Sequence, residues 1–218
     1  MGRPREHDAR TRLALLEAAE SLVARGGLDA VSVRAVATEV GTSVRAVYSL
    51  FGSKEGLIRG LAERGFQLLM KRVDSVSPTA DPATDLAGAA LRGFRPFVLE
   101  HPDLFRLVFV RSGVDLGPEV GAAGNVAFSR LEARLESARV AGLLPDRPLN
   151  ELGLEFHALC QGLASLELCG AAAGPQAERL WADSINDLLR GWASCALAGV
   201  SASPARLRRR KPATSESK

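Results

Sequence analysis

Apolar residues return every three or four positions along almost all of this 218-residue chain, and no stretch alternates apolar with polar residues. A period near 3.6 gathers such residues on one face of a helix, whereas a half-buried strand needs a period of two. Sandwiches, barrels and βαβ units are therefore excluded, and an all-α chain is expected. Aromatic residues make up only 5%, so its core has to be built mainly from Leu, Val and Ala.

The first helix is expected over 8–25, with Leu15, Leu16, Ala19, Leu22 and Val23 on one side and Gly26-Gly27 closing it. Ser32 is placed to cap a second helix, Val33 to Val40. Gly41-Thr42-Ser43 then turns the chain into a third, Val44 to Leu50. Phe51-Gly52 ends that helix, and Ser53 can cap a fourth from Lys54 to about Val73. The segment DSVSPTADPAT breaks the pattern. Five more helices are expected near 85–99, 103–112, 125–141, 150–169 and 176–198, with the Gly/Pro-rich run SGVDLGPEVGAAGN read as a connection. The end, SASPARLRRRKPATSESK, is polar, lacks apolar periodicity and is expected to be disordered. The chain thus divides into residues 1–60, residues 61–199 and a basic tail, 200–218.

The net charge of +3 is too small to announce an anionic partner, but it is unevenly spread. Residues 1–60 hold 9 basic and 7 acidic side chains, residues 61–202 hold 13 and 17, and the last sixteen hold 6 and 1. An acidic body between two positive ends points toward such a partner.

Several classes fall away. No apolar run approaches the length of a membrane span. The start, MGRPREHDAR, has no apolar signal region, and Glu6 stands where a myristoylation motif needs Ser or Thr. Cys160, Cys169 and Cys195 form no CxxC and lie in apolar helical stretches, where buried free thiols are expected. A cytoplasmic chain follows, without metal or cofactor. Neither HExxH, GxSxG, GxxxxGK[ST] nor GxGxxG occurs, and His7, His101 and His157 lack partners at ligand or triad spacing, so no catalytic residue is assigned.

Two short helices joined by a glycine turn and packed on a preceding helix are the parts of a helix-turn-helix. At 100° per residue, Val47 and Phe51 point toward the other two helices, while Arg45 and Ser49 point away, with Tyr48 on the flank. Such a face suits the major groove, where Arg reaches guanine and hydroxyls serve either role; it equally describes a polar surface helix. Lys54 opposes the dipole of the helix it begins, unless a phosphate binds there. Solvation, with Glu55 compensating the dipole, is the plainer reading of it.

The run GLDAVSVRAVATEVGTSVRAVYSLFGSKEGLIRGL, residues 27–61, resembles the DNA-binding domain of TetR/AcrR-type transcriptional repressors. Its anchors are Val40-Gly41, Val47-Tyr48, Phe51 and Lys54-Glu55, and the resemblance covers about residues 8–61. It implies a three-helix helix-turn-helix head on a larger helical effector-binding and dimerisation domain. It also implies that Thr42, Ser43, Arg45, Tyr48 and Ser49 face double-stranded DNA, that Tyr48 and Lys54 hold phosphates, and that the operator is palindromic. Arg34 is a further cation of this head. Leu50 stands where the family often has His, and Arg45 where Gly, Ala or Pro is common, so the operator sequence does not transfer.

HPDLFRLVF and HALCQGLASLEL resemble one recurrent C-terminal domain of the same family. Here two helices carry stripes spaced four, three, four, three: Leu152, Phe156, Leu159, Leu163, Leu166, and Trp181, Ile185, Leu188, Trp192, Cys195. That spacing is the seam of shallow helix-on-helix packing. Ala158, Gly162, Ser165 and Cys169 make a second stripe of small residues. One side can face the chain's own domain and the other a second copy, or both can be buried within one chain. The resemblance implies a homodimer through the last two helices, with Leu152, Phe156, Leu159, Gly162, Leu163, Leu166, Trp181, Ile185, Leu188 and Trp192 as candidates. It also implies a pocket for a small effector of unknown identity, for which Phe94, Phe97, Phe105, Phe109, Phe128 and His157 are candidates; plain core packing explains the same phenylalanines. Arg92, Arg95, His101, Arg106 and Arg111 are further polar candidates.

Two other classes remain in play: a sequence-tolerant DNA-coating protein driven by Arg206, Arg208, Arg209, Arg210 and Lys211, and a small helical enzyme.

Overall fold

The computed structural model describes residues 3–110 and 116–198, with side chains described from Asp8 onward. Among them there is no strand, and the fold is all-α. The head is α1 (Arg3–Gly26), α2 (Val33–Val40) and α3 (Val44–Phe51). The body holds α5 (Pro82–Gly88), α6 (Arg95–Glu100), α7 (Pro102–Phe105), α8 (Gly117–Val140), α9 (Leu149–Leu168) and α10 (Gly174–Leu197). Between them α4 (Lys54–Asp74) runs unbroken from head to body, across the expected boundary at residue 60.

Local chemistry accounts for the head. Ser32, Ser43 and Ser53 are the N-caps of α2, α3 and α4, their hydroxyls accepting from the N–H groups of Ala35, Ala46 and Gly56 at 3.1, 3.2 and 3.1 Å. Gly41, at φ 70°, ends α2 in the left-handed region, with Thr42 N–H donating to Ala37 O and Gly41 N–H to Thr38 O. This paired closure fixes the turn between α2 and α3, and a side chain at Gly41 would strain it. Leu15, Ala19, Val36 and Val47 are fully buried or nearly so among the three helices. Farther on, a Cβ at Gly60 would lie 3.1 Å from the Phe51 ring, so glycine lets α4 settle on the end of α3.

The body departs from expectation in two places. The helix expected from residue 125 begins at Gly117: Pro118 fits its first turn, Glu119 suits its positive end, and Val120 is buried. Small residues that read as a connection instead allow close packing against α4, with Gly124 against Phe66. Around residues 85–110, π-helical segments at Ala89–Phe94 and Arg106–Val110 interrupt the α-helical ladder. The tail, with Arg206 to Lys211, and Arg111 lie outside the described residues.

Arg95 of α6 donates to both carboxylate oxygens of Glu167 at 3.0 and 2.8 Å, and Trp181 Nε1–H donates to the same carboxylate at 2.8 Å. One mostly buried cluster therefore ties α6, α9 and α10. The Arg95 guanidinium holds the Glu167 carboxyl below the usual range. No helix among the described residues is long and apolar enough to cross a membrane.

Candidate nucleic-acid interface and body cavity

Helix α3 is seated by buried Val47 and Phe51 and presents Arg45, Tyr48 and Ser49 outward; Tyr48 is 52% exposed. Ser43 and Arg34 are also exposed, while Thr42 and Lys54 are half-buried. Ser43 Oγ is occupied as a cap acceptor, but its hydroxyl proton stays free to donate. None of Arg34, Arg45 and Lys54 forms an ion pair with a described carboxylate, whereas neighbouring Arg25 pairs with Glu39 at 2.8 Å. Glu55 is drawn below the usual carboxyl range chiefly by a backbone N–H and then by Ser53, with a smaller contribution from the Lys54 and Arg59 charges. Val44 is 38% exposed beside Arg45, an outward apolar group at the start of α3. The arrangement is a short helix carrying a cation, hydroxyls and an apolar contact, flanked by cations without an ion pair among the described residues, a chemistry that suits groove readout and phosphate contact.

A half-open cavity of about 390 Å³ lies in the body between α4, the first π segment, α8 and α9. Phe94, Phe109, Phe128 and His157 line it, joined by Phe66 and Phe156. Phe66 and Phe109 meet edge to face at 5.6 Å, and the His157 ring lies 5.2, 6.0 and 6.5 Å from Phe109, Phe94 and Phe128. Phe97 and Phe105 do not reach it. Phe97 is fully buried against His101, and Phe105 stands behind Phe94 and Phe109 as packing. The polar candidates are also redistributed. Arg95 pairs with Glu167, His101 with Glu20 and Arg106 with Asp103, while Arg92 lines a separate groove between α5 and α10. In their place the cavity wall holds Asn125, Arg130 and Arg134. All three fall inside the helix expected over 125–141, and only its packing against α4 and α9 brings them to this wall. Gln161 lies 2.6 Å from His157, its amide N–H donating to Nε2, and burial lowers the pKa of the imidazole. Burial pushes the Cys160 thiol up to about 12, which leaves it protonated and unreactive.

The two stripes of α9 face differently. Leu152, Phe156 and Leu163 are buried within the chain, as are Trp181, Ile185 and Trp192 on α10, so these six candidates have no surface left for a second copy. Their four-three spacing reflects packing inside one chain. Leu159 and Leu188 are half-buried, and Gly162 and Leu166 are exposed. The exposed face of α9 is the stripe of small residues, Ala158, Gly162, Ser165 and Cys169, extended by Leu154 and Leu166 at 58% and 44% exposure. Cys160 is buried as expected, but Cys169 is exposed and Cys195 lies between.

A family profile described as bacterial regulatory proteins, tetR family, matches residues 15–61, and one described as tetracyclin repressor-like, C-terminal domain, matches residues 87–188. The chain is a helix-turn-helix, DNA-binding transcription regulator. It belongs to the tetR family. A search of curated proteins returned no match. Solved structures similar to it include a protein with unknown function from Rhodococcus sp. RHA1, 25% identical, with a TM-score of 0.72 over 84% of this chain and 95% of that one. A TetR family transcription regulator from Marinobacter aquaeolei VT8 is 26% identical, with a TM-score of 0.67 over 85% and 96%. RolR, solved in complex with resorcinol, has the same fold, at 19% identity and a TM-score of 0.61 over 91% and 96%.

Proposed function

We propose that the protein is a homodimeric repressor that leaves a palindromic operator when a small molecule fills the cavity. The observation that carries this reading is the course of α4. Lys54 begins it beside the outward face of α3, and Phe66, Leu69 and Met70 of the same helix line the cavity. At 1.5 Å per residue, roughly 18 Å of continuous helix separates Lys54 from Phe66. A ligand that moves α4 at one end must move it at the other. The exposed face of α9, from Leu154 to Cys169, is the surface proposed for the second copy, joined by α10. Two heads held there can meet successive major grooves about 34–36 Å apart. An effector acts only through unequal affinity for two arrangements, so operator affinity falls when it is bound. That RolR was solved with resorcinol supports a small-molecule site in this fold.

Selection of genomic fragments by the purified full-length protein tests the reading. A short inverted repeat, bound about a thousandfold or more tighter than random DNA at physiological salt, is the expected result. Binding of all fragments alike, with a steep salt dependence, returns the DNA-coating alternative instead.

A further inference from the structure

The cavity wall is mostly apolar, and of its two cations one forms no ion pair among the described residues. Arg130 does not need a ligand: both carboxylate oxygens of Asp74 lie 3.0 Å from its Nε. Arg134, one turn later on α8, is different. It is partly buried, donates from Nη2 to Val73 O at 3.1 Å and from Nη1 to Arg130 O at 3.5 Å, and forms no ion pair with a described carboxylate. Backbone carbonyls satisfy two of its five N–H groups and leave the full charge. A partly desolvated cation without an anion is costly, and a planar guanidinium matches a carboxylate with two parallel bonds. The same cavity is lined by Phe66, Phe94, Phe109, Phe128 and Phe156. The volume corresponds to about a dozen water molecules, room for a pair of rings with one acidic group.

Building on the reading of this cavity as the effector site, we infer that its ligand class is an aromatic carboxylate, with the acid on Arg134 and the rings among the phenylalanines. His157, beside the rings, and Asn125 on the wall supply neutral hydrogen-bonding groups, and neither replaces the cation.

Calorimetry on the full-length protein, with 2-naphthoate, 2-naphthamide and octanoate as probes, tests the assignment. Naphthoate is expected to bind, and naphthamide at least about tenfold more weakly, as a charge-assisted pair is replaced by a neutral one. Arg134→Gln is expected to bring naphthoate down to the level of the amide, and an unaltered amide affinity in that variant shows that the cavity is intact. Arg134→Lys keeps the charge without the fork and retains part of the preference. Equal affinities for acid and amide, an unchanged naphthoate affinity in Arg134→Gln, or no binding of any probe overturns the inference. Octanoate binding as tightly as naphthoate overturns its aromatic half. Operator release is a separate readout: naphthoate held by Arg134 that leaves operator affinity unchanged upholds the ligand class and defeats the effector reading.

Discussion

His101 Nδ1 lies 2.5 Å from Glu20 Oε1, joining α1 of the head to the start of α7 in the body. The other oxygen of Glu20 accepts from Arg64 Nε at 3.3 Å, so α4 enters the same cluster. All three side chains are less than a quarter exposed. Head and body therefore meet through a shared α4 and through one carboxylate that holds a partner on each side.

Glu20→Ala is expected to remove about 1–2 kcal/mol of stability, since it leaves the His101 Nδ1–H and the Arg64 Nε–H without their acceptor, Arg64 keeping only exposed Glu17. Glu17, which also pairs with Arg64, is 56% exposed, and Glu17→Ala should cost less than about 0.5 kcal/mol. Urea unfolding midpoints of the two variants check the contrast; equal small losses would mean that the cluster is solvated in practice.

Glu167 is the corresponding carboxylate inside the body. Its side chain is 10% exposed and that of Arg95 17%, so Glu167→Ala strands a guanidinium and the Trp181 indole N–H together. A loss of about 3 kcal/mol is expected. In a chain of this length, that lowers the melting temperature by about 6–12 °C. Glu167→Gln, which keeps an acceptor, should lose less. Thermal unfolding followed by circular dichroism separates the two.

What could be read before the structure follows the range of the interaction. Ser32, Gly41, Ser43 and Ser53 act on groups within five residues of themselves, so the head was legible nearly residue by residue. The cavity depends on meetings such as Phe66 with Phe109 and Phe109 with His157, which no local pattern encodes. Phe97 and Phe105 share the composition signal of Phe94 and Phe109 but face packing. The π segments shift the register of α-helical spacing around residues 89–110, and this changes which side chains share a face. The stripes of α9 leave the second copy's face open in the sequence for another reason: helix packing within a chain and between chains obeys the same spacing. Burial alone distinguishes them.

His157 is expected to make stability fall with acid. Burial favours its neutral form, so its folded pKa lies below the usual 6.5. Above pH 6.5 neither state binds the proton, and this histidine adds no slope. As the pH falls from there, the unfolded chain is protonated first and stability declines, levelling once the folded pKa is passed. His157→Gln should flatten this part of the curve, measured as the difference in urea midpoint between pH 7.5 and 5.5. Parallel slopes for the two proteins would show that the ring titrates alike in both states.

Lys54 and Arg45 should fail differently on DNA if, as proposed, one holds a phosphate and the other reads base edges. Lys54 is half-buried at the start of α4 and has no described carboxylate within ion-pair distance, so a phosphate would meet its ammonium and the first N–H groups of the helix together. Lys54→Ala should weaken operator and random DNA alike and reduce the slope of log affinity against log salt by about 1. Arg45 is exposed on the outward face of α3, next to Val44 and one turn before Ser49, where a guanidinium can reach a base pair in the major groove. Arg45→Ala should cost about 1–3 kcal/mol on the operator, much less on random DNA, and relax the preference at one position of each half-site. Titrations of both variants against the operator, its single-base changes and random DNA, at several salt concentrations, check the pair. Uniform losses for Arg45→Ala would move that residue to the phosphate side of the interface and leave Val44, Tyr48 and Ser49 to carry base readout.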